Sequence, residues 1–226
     1  MRCYLIRHAQ SVWNGQNRFQ GRTDSPLSAL GQEQARRLAE YFTGRPVGSL
    51  VTSALQRTIQ TGQAIAARVG IDGRIDPDVA EMDLGGWEGL TPDEIDARYH
   101  GAYQRWRRRP SEVVIPDAEP LPAFRARVRG AFDRIVAAHD SRHDLVIVSH
   151  GGVIASLLAD WLGAEYDQLL QQLVISNAGV TAVECDRSSR WVLWVNATTH
   201  LLPEVVGSPA FEPVDGKTGL VSPSKA

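Results

Sequence analysis

Two cysteines in 226 residues leave no disulfide framework to staple this chain. Cys3 and Cys185 both sit in apolar, strand-like surroundings and read as buried thiols in a reducing compartment. No apolar run approaches the roughly 20 residues a bilayer-spanning helix needs, and no basic-then-apolar leader opens the sequence. The expected location is therefore the cytoplasm, with no membrane partner. A dominant charge sign is missing too. Lys plus Arg number 24 against 26 Asp plus Glu, a formal net charge of −2, so nothing draws the chain to nucleic acid in general. No Asp-rich cluster of the kind that holds Mg²⁺ is found, and neither a metal nor another cofactor is expected. Internal repeats and a second core are also absent. Any anion binding has to come from a local cluster.

What is present is ordinary globular composition, 43% hydrophobic and 22% charged, enough for one sizeable core. Cys3-Tyr4-Leu5-Ile6 reads as a buried strand that runs into Arg7-His8. A long amide-rich loop, 11–24, follows, pinned by Trp13 and Phe19. A helix opens at Pro26 and Ser28, with Leu30, Ala35, Leu38, Ala39 and Phe42 on one face and Gly44 as its stop. Val47 to Thr52 is a second strand. Ser53 with Gln56 predicts a capping box for the next helix, which ends at Gly70. Ile71 to Ile75 is a third strand. The segment 80–89 has no clear period and reads as a shaped loop. Thr91-Pro92-Asp93-Glu94 predicts another helix start. Tyr103 to Arg109 continues as a basic, aromatic helix, and Phe124 to His139 is amphipathic. Leu145 to Ser149 is the clearest buried parallel strand, leading to His150-Gly151-Gly152 and an apolar helix, Val153 to Leu162. Val180 to Cys185 and Trp191 to Asn196 form a predicted antiparallel hairpin. Trp87, Trp161, Trp191 and Trp194 are expected to serve core or sheet packing. From Pro203 the chain turns Pro-, Gly- and Ser-rich. The layout predicts one α/β domain over 1–202, a three-layer α/β/α sandwich with a mainly parallel sheet, and a poorly ordered or docking tail over 203–226.

Two strands end alike, Ile6-Arg7-His8 and Ser149-His150-Gly151. In a doubly wound sheet, parallel neighbours would bring both histidines to one edge, where ligands bind. Arg57, in the first helical turn after a strand, arrives there as well. Two guanidinium forks and two imidazoles suit a phosphate dianion. A His with one ring nitrogen held by a backbone carbonyl can take a phosphoryl group on the other. His8 is that candidate. Arg7, Arg57 and His150 would stabilise charge on the equatorial oxygens. Glu81 is the candidate proton donor, because a carboxyl beside phosphate and away from bulk water tends to keep its proton. Asp83 and Glu88 lie in the same loop and compete for that role. The structural alternatives are plain: a solvated face for Arg105 to Arg109, satisfied loop backbone for Asn14 and Gln20, and a packed or surface His200.

Five stretches occur together and in order: Arg7-His8-Ala9-Gln10-Ser11; Gln20-Gly21 with Asp24 and Pro26-Leu27; Ser53-Ala54-Leu55-Gln56-Arg57-Thr58 with Gln60-Thr61; Glu81 through Gly89; and Ser149-His150-Gly151-Gly152. In this the chain resembles the histidine phosphatase superfamily, in its cofactor-independent, phosphoglycerate mutase-like branch. The resemblance spans nearly the whole chain except the tail. It implies that His8 is phosphorylated, that Arg7, Arg57 and His150 form the phosphate pocket, and that Glu81, which leads the Glu-x-x-x-Gly-x-Trp-Glu-Gly pattern, donates the proton. Asn14, Gln20, Gly21 and Gly151 would add contacts to the phosphoryl group. Ala9-Gln10 departs from the family's Gly-Glu, and Ala155 stands where many members carry Arg or Lys. The stretch from Trp87 to Ser149 is shorter than in the glycolytic mutases, which favours phosphatase over mutase. Trp106, Asn177-Ala178 and 196–201 resemble metal-independent phosphoserine phosphatases and glucosyl-3-phosphoglycerate phosphatases. The expected substrate is thus a small phosphorylated metabolite with a carboxylate, met by the basic helix and in such a scheme reached by His200. The only protein partner admitted is a second copy, as a homodimer. The rivals are a phosphoglycerate mutase and a catalytically weak phospho-ligand binder.

Overall fold

The computed structural model describes residues 1–186 and 189–201. The segment 203–226 read as a tail, and two residues of the expected hairpin turn, Arg187 and Ser188, lie outside the described residues. Among the described residues six strands form one sheet: β1 (Arg2–Arg7), β2 (Val47–Thr52), β3 (Gly73–Ile75), β4 (Asp144–Ser149), β5 (Val180–Cys185) and β6 (Arg190–Ala197). Their order is β3-β2-β4-β1-β5-β6. The first four are parallel, and β5 and β6 join antiparallel at one side. Side chains alternate across a strand, so β1 serves two cores at once. Cys3 and Leu5 enter one, and Tyr4 and Ile6 the other. That two-sided burial is why β1 and β4 read as unbroken apolar runs.

Helices cover both faces. On one side α6 (Leu121–Ala137), α7 (Gly151–Leu162) and α8 (Tyr166–Gln172) bury Phe124, Val128, Phe132, Ile154, Leu158 and Leu170. On the other, α2 (Ala29–Tyr41) and α3 (Gln56–Val69) bury Ala35, Leu38 and Ile65, with Phe42 just beyond α2. This is the expected sandwich. A third, smaller cluster gathers Trp87, Ile95, Ala102 and Ile115. It ties the 80–89 loop to α4 (Pro92–Arg98) and α5 (Ala102–Arg108). Phe19 packs edge-on against Trp87, Tyr103 and Trp106, which pins the long loop after His8 to that cluster.

Several elements differ from expectation. The loop 11–24 contains one helical turn, α1 (Val12–Gly15), held by a Ser11–Asn14 capping box with no apolar period to announce it. The box expected at Ser53 and Gln56 does not form: Leu55 is the N-cap of α3, without a side-chain cap. The Ser53 hydroxyl is instead engaged by His150 and Thr58. The helix α6 starts earlier, at Leu121, because Pro122 is tolerated in a first turn, where its missing N–H costs nothing. The short helix α8 went unread. Trp191 does not serve as core: it stands 52% exposed on the edge strand β6. Cys3 and Cys185 are free and buried, as expected, and burial raises both thiol pKa values. No helix among the described residues is long and apolar enough to cross a membrane.

Candidate active site

The parallel pairing of β1 with β4 sets Arg7 opposite Ser149, so the next residues, His8 and His150, emerge side by side. The two rings lie 5.2 Å apart, inclined at 62°. His8 Nδ1 is 2.7 Å from the carbonyl of Ala9. A carbonyl only accepts, so Nδ1 carries the hydrogen and Nε2 keeps its lone pair. The imidazole pKa is held well below its usual value, first by burial and then by Arg57 and Arg7. A neutral imidazole with a free Nε2 is a nucleophile.

Both arginines are buried, and neither has a carboxylate within ion-pair distance among the described residues. Arg7 Nη1 donates to the Ile175 carbonyl at 2.8 Å. Arg57 donates from Nη2 to Gly21 O (2.7 Å) and from Nη1 to Thr23 O (3.0 Å). Burial pulls each guanidinium down to about 10. Two buried cations held by neutral carbonyls are an unfinished charge arrangement, and an anion completes it. His150, also buried, is kept neutral by burial, Arg57 and His8. Its Nε2 faces Ser53 Oγ at 2.9 Å, and its Nδ1 has no partner among the described residues.

Glu81 reaches the same cavity from the loop after the 3₁₀ turn Pro77–Val79. Its carboxylate accepts the Gly152 N–H and the Met82 N–H, each at 3.0 Å. A Cβ at Gly152 would lie 2.4 Å from Glu81 Oε1, so any larger residue there would push the carboxylate aside. The two competitors do other work. Asp83 accepts the Gly85 N–H, and Glu88 clasps the backbone of Arg22, Thr23 and Leu84. Neither lines the cavity.

Asn14, Gln20, Gly21 and Gly151 all line this cavity of about 570 Å³. Asn14 Oδ1 accepts from Ser11 and from Asn177 Nδ2, which leaves the Asn14 amide N–H₂ for the cavity. Gln20 Oε1 accepts from Ser11 Oγ at 2.7 Å, so its N–H₂ end is likewise left for a ligand. Gly21 sits at φ +51°, and its carbonyl holds Arg57. All nine residues expected at the site are thus together. Among the described residues no group of three or more His, Cys, Asp or Glu is placed to hold a metal ion.

The sequence pattern of the histidine phosphatase superfamily (branch 1) matches residues 3–198. The chain belongs to that superfamily. Among curated proteins, a relative from Mycolicibacterium vanbaalenii named glucosyl-3-phosphoglycerate phosphatase is 36% identical, over 74% of this chain and 76% of its own. A putative phosphoserine phosphatase 2 of Hydrogenobacter thermophilus is 29% identical, over 88% and 97%. A probable phosphoglycerate mutase GpmB of an Enterobacter species is 31% identical, over 85% and 91%. Two solved structures are similar. Bacillus stearothermophilus YhfR has a TM-score of 0.83 at 28% identity, covering 88% of this chain and 98% of its own. A mycobacterial glucosyl-3-phosphoglycerate phosphatase complexed with VO3 has 0.78 at 30%, covering 87% and 99%.

In this member of the superfamily the basic helix α5 divides by face. Tyr103, Gln104, Trp106 and Arg107 line the cavity, while Arg105, Arg108 and Arg109 turn to a separate cleft with Arg98. His200 does not reach the site: it packs 5.3 Å from the Tyr41 ring, and burial pulls its pKa to about 4. Gln10 does line the cavity, but its side chain accepts from Ser28 Oγ at 2.7 Å and so braces the start of α2. Asn177, which the sequence offered only through its resemblance to phosphoserine phosphatases, donates from Nδ2 to the His8 carbonyl at 3.0 Å, and Tyr166, which sequence reasoning missed, lines the cavity beside Glu81. Tyr166 belongs to no local motif that would announce it.

Proposed function

We propose that this histidine phosphatase is a phosphomonoesterase working through a phosphohistidine at His8. The observation that carries this is the His8 imidazole, hydrogen-bonded through Nδ1 to Ala9 O and facing two buried guanidinium groups that have no carboxylate within ion-pair distance among the described residues. A phosphate monoester would seat its oxygens between Arg7, Arg57, His150 and the amide ends of Asn14 and Gln20. His8 Nε2 attacks phosphorus as the ester P–O bond breaks, and protonated Glu81 gives its proton to the leaving oxygen. Glu81, now a carboxylate, takes a proton from water as that water attacks phosphorus. The N–P bond breaks, phosphate leaves, and neutral His8 is restored. Charge on the transferring group is met by two guanidinium groups and the His150 ring, so the chemistry asks for no metal. EDTA should leave the rate unchanged.

The reading of a carboxylate-bearing metabolite rests on Arg107 in the cavity lining and on the relatives' names, phosphoserine phosphatase and glucosyl-3-phosphoglycerate phosphatase. The relative named phosphoglycerate mutase keeps a second reading open. A panel of phosphorylated metabolites ranked by kcat/KM, with labelled 3-phosphoglycerate included, separates them. Phosphate release faster than isomerisation supports the phosphatase, and the reverse supports a mutase.

A further inference from the structure

Ser53 and Thr58, the latter next to Arg57 in the first turn of α3, are both fully buried. Ser53 Oγ is 2.9 Å from His150 Nε2 and 2.7 Å from Thr58 Oγ1. Thr58 Oγ1 in turn is 2.8 Å from Leu55 O and 3.1 Å from Ser53 O. The result is a chain from an imidazole nitrogen, through two hydroxyls, to a backbone carbonyl. Each hydroxyl can rotate to donate in either direction. If the neutral ring needs a donor at Nε2, Thr58 turns to Ser53 and Ser53 donates to Nε2. If Nε2 carries hydrogen, it donates to Ser53, Ser53 to Thr58, and Thr58 to the Leu55 or Ser53 carbonyl. Both hydroxyls and Nε2 keep a partner in either state, which is what makes a buried network tolerable, while His150 Nδ1 has none among the described residues.

We propose that Ser53 and Thr58 are positioning residues that reverse the direction of this hydroxyl chain so that His150 becomes an imidazolium when a phosphate group fills the site. Nε2 then gains the hydrogen, and the Nδ1–H that the neutral ring already carries can be donated to a phosphate oxygen. Nε2–H stays satisfied by Ser53, and the extra proton comes from water or from a phosphate monoanion. The inference deepens the phosphatase reading and rests on it only for the identity of the anion.

The test is a pH titration of ring nitrogens in the ¹⁵N-histidine-labelled full chain, with saturating inorganic phosphate as the probe. His150 is assigned by its loss in His150→Gln. In the wild type, phosphate should give His150 two ring N–H groups at neutral pH. Ser53→Ala should weaken proton affinity in that complex about 10- to 100-fold, the size of one hydrogen bond to a charged group. The pH at which His150 deprotonates then falls by one to two units. Thr58→Val should shift it less, in the same direction, and Thr58→Ser should restore it. If Ser53→Ala does not fold, the Thr58 pair decides alone. A His150 that stays neutral in the wild-type complex, or variants that titrate as wild type whatever their kcat, would overturn the proposal. Failure of the phosphatase reading looks different: the wild type then hydrolyses no monoester, while His150 still takes up its proton with phosphate.

Discussion

His8 can attack phosphorus only while its imidazole is neutral, and both burial and the two neighbouring arginines keep it so. The acid limb of kcat/KM that reports His8 should therefore lie well below pH 6.5, the ordinary histidine value. His8→Ala should lower turnover of an aryl phosphate by at least about 10³-fold with the fold intact by circular dichroism. Unchanged turnover would remove the nucleophile from the scheme. Glu81→Gln should slow alkyl esters by about 10²- to 10⁴-fold and aryl esters much less, since a phenolate hardly needs the proton. Equal losses on both would assign Glu81 another role. Arg7, His8, Arg57 and His150 were legible because strand ends and a first helical turn deliver them, and residue type at such places is informative. Ser53 was misread for a physical reason. Ser-x-x-Gln is a valid capping signal, and the partner that outbids the backbone, His150, lies 97 positions away. The Glu81 assignment was open between three carboxylates, and only backbone contacts in the folded loop separate them.

Elements set the geometry that these residues share. The β1–β4 register places both histidines, and α7 starts at Gly151 so that the Gly152 N–H can hold Glu81. Gly152→Ala puts a Cβ where the carboxylate is. It should therefore depress kcat while changing Tm little, because the site is a cavity wall and not core. An unaffected kcat would show that Glu81 works from elsewhere. The face division of α5 gives a second prediction. Arg107→Ala should raise KM for a carboxylate-bearing substrate about tenfold, and Arg105→Ala, on the other face, should not. Equal effects would mean a diffuse field and no specific contact. The helices α2, α3, α6 and α7 were legible from apolar periodicity with Gly or Ser punctuation. One-turn α1 and seven-residue α8 were not, since each is too short to show a period and is fixed by what it packs against.

The whole molecule holds several charged or chargeable groups in a buried pocket, and its stability should reflect that. His8, His150 and His200 all have folded pKa values below the unfolded value. Above about pH 6.5 both folded and unfolded chains keep them neutral. Below it the unfolded chain binds protons that the folded one refuses, so stability falls by about 1.4 kcal/mol per pH unit for each. For His200 the loss runs down to about pH 4. Thermal melts from pH 8 to 5 should show this decline, and a flat profile would contradict the buried, neutral assignments. Inorganic phosphate at about 100 times its Kd should add roughly 2.7 kcal/mol and raise Tm by several degrees. Arg57→Ala should remove that gain. The fold class was open to reading because alternating strands and helices permit few arrangements, whereas the insertion of β4 between β1 and β2 is a long-range choice that only the folded sheet displays. The central claim is a covalent one, and trapping tests it most directly: the enzyme is mixed with an aryl phosphate, quenched in base within its first turnovers, and digested for mass spectrometry. A phosphoryl group on His8, stable in base and lost in acid, is the expected result. A phosphoryl group on another residue, or none while product accumulates, would contradict it.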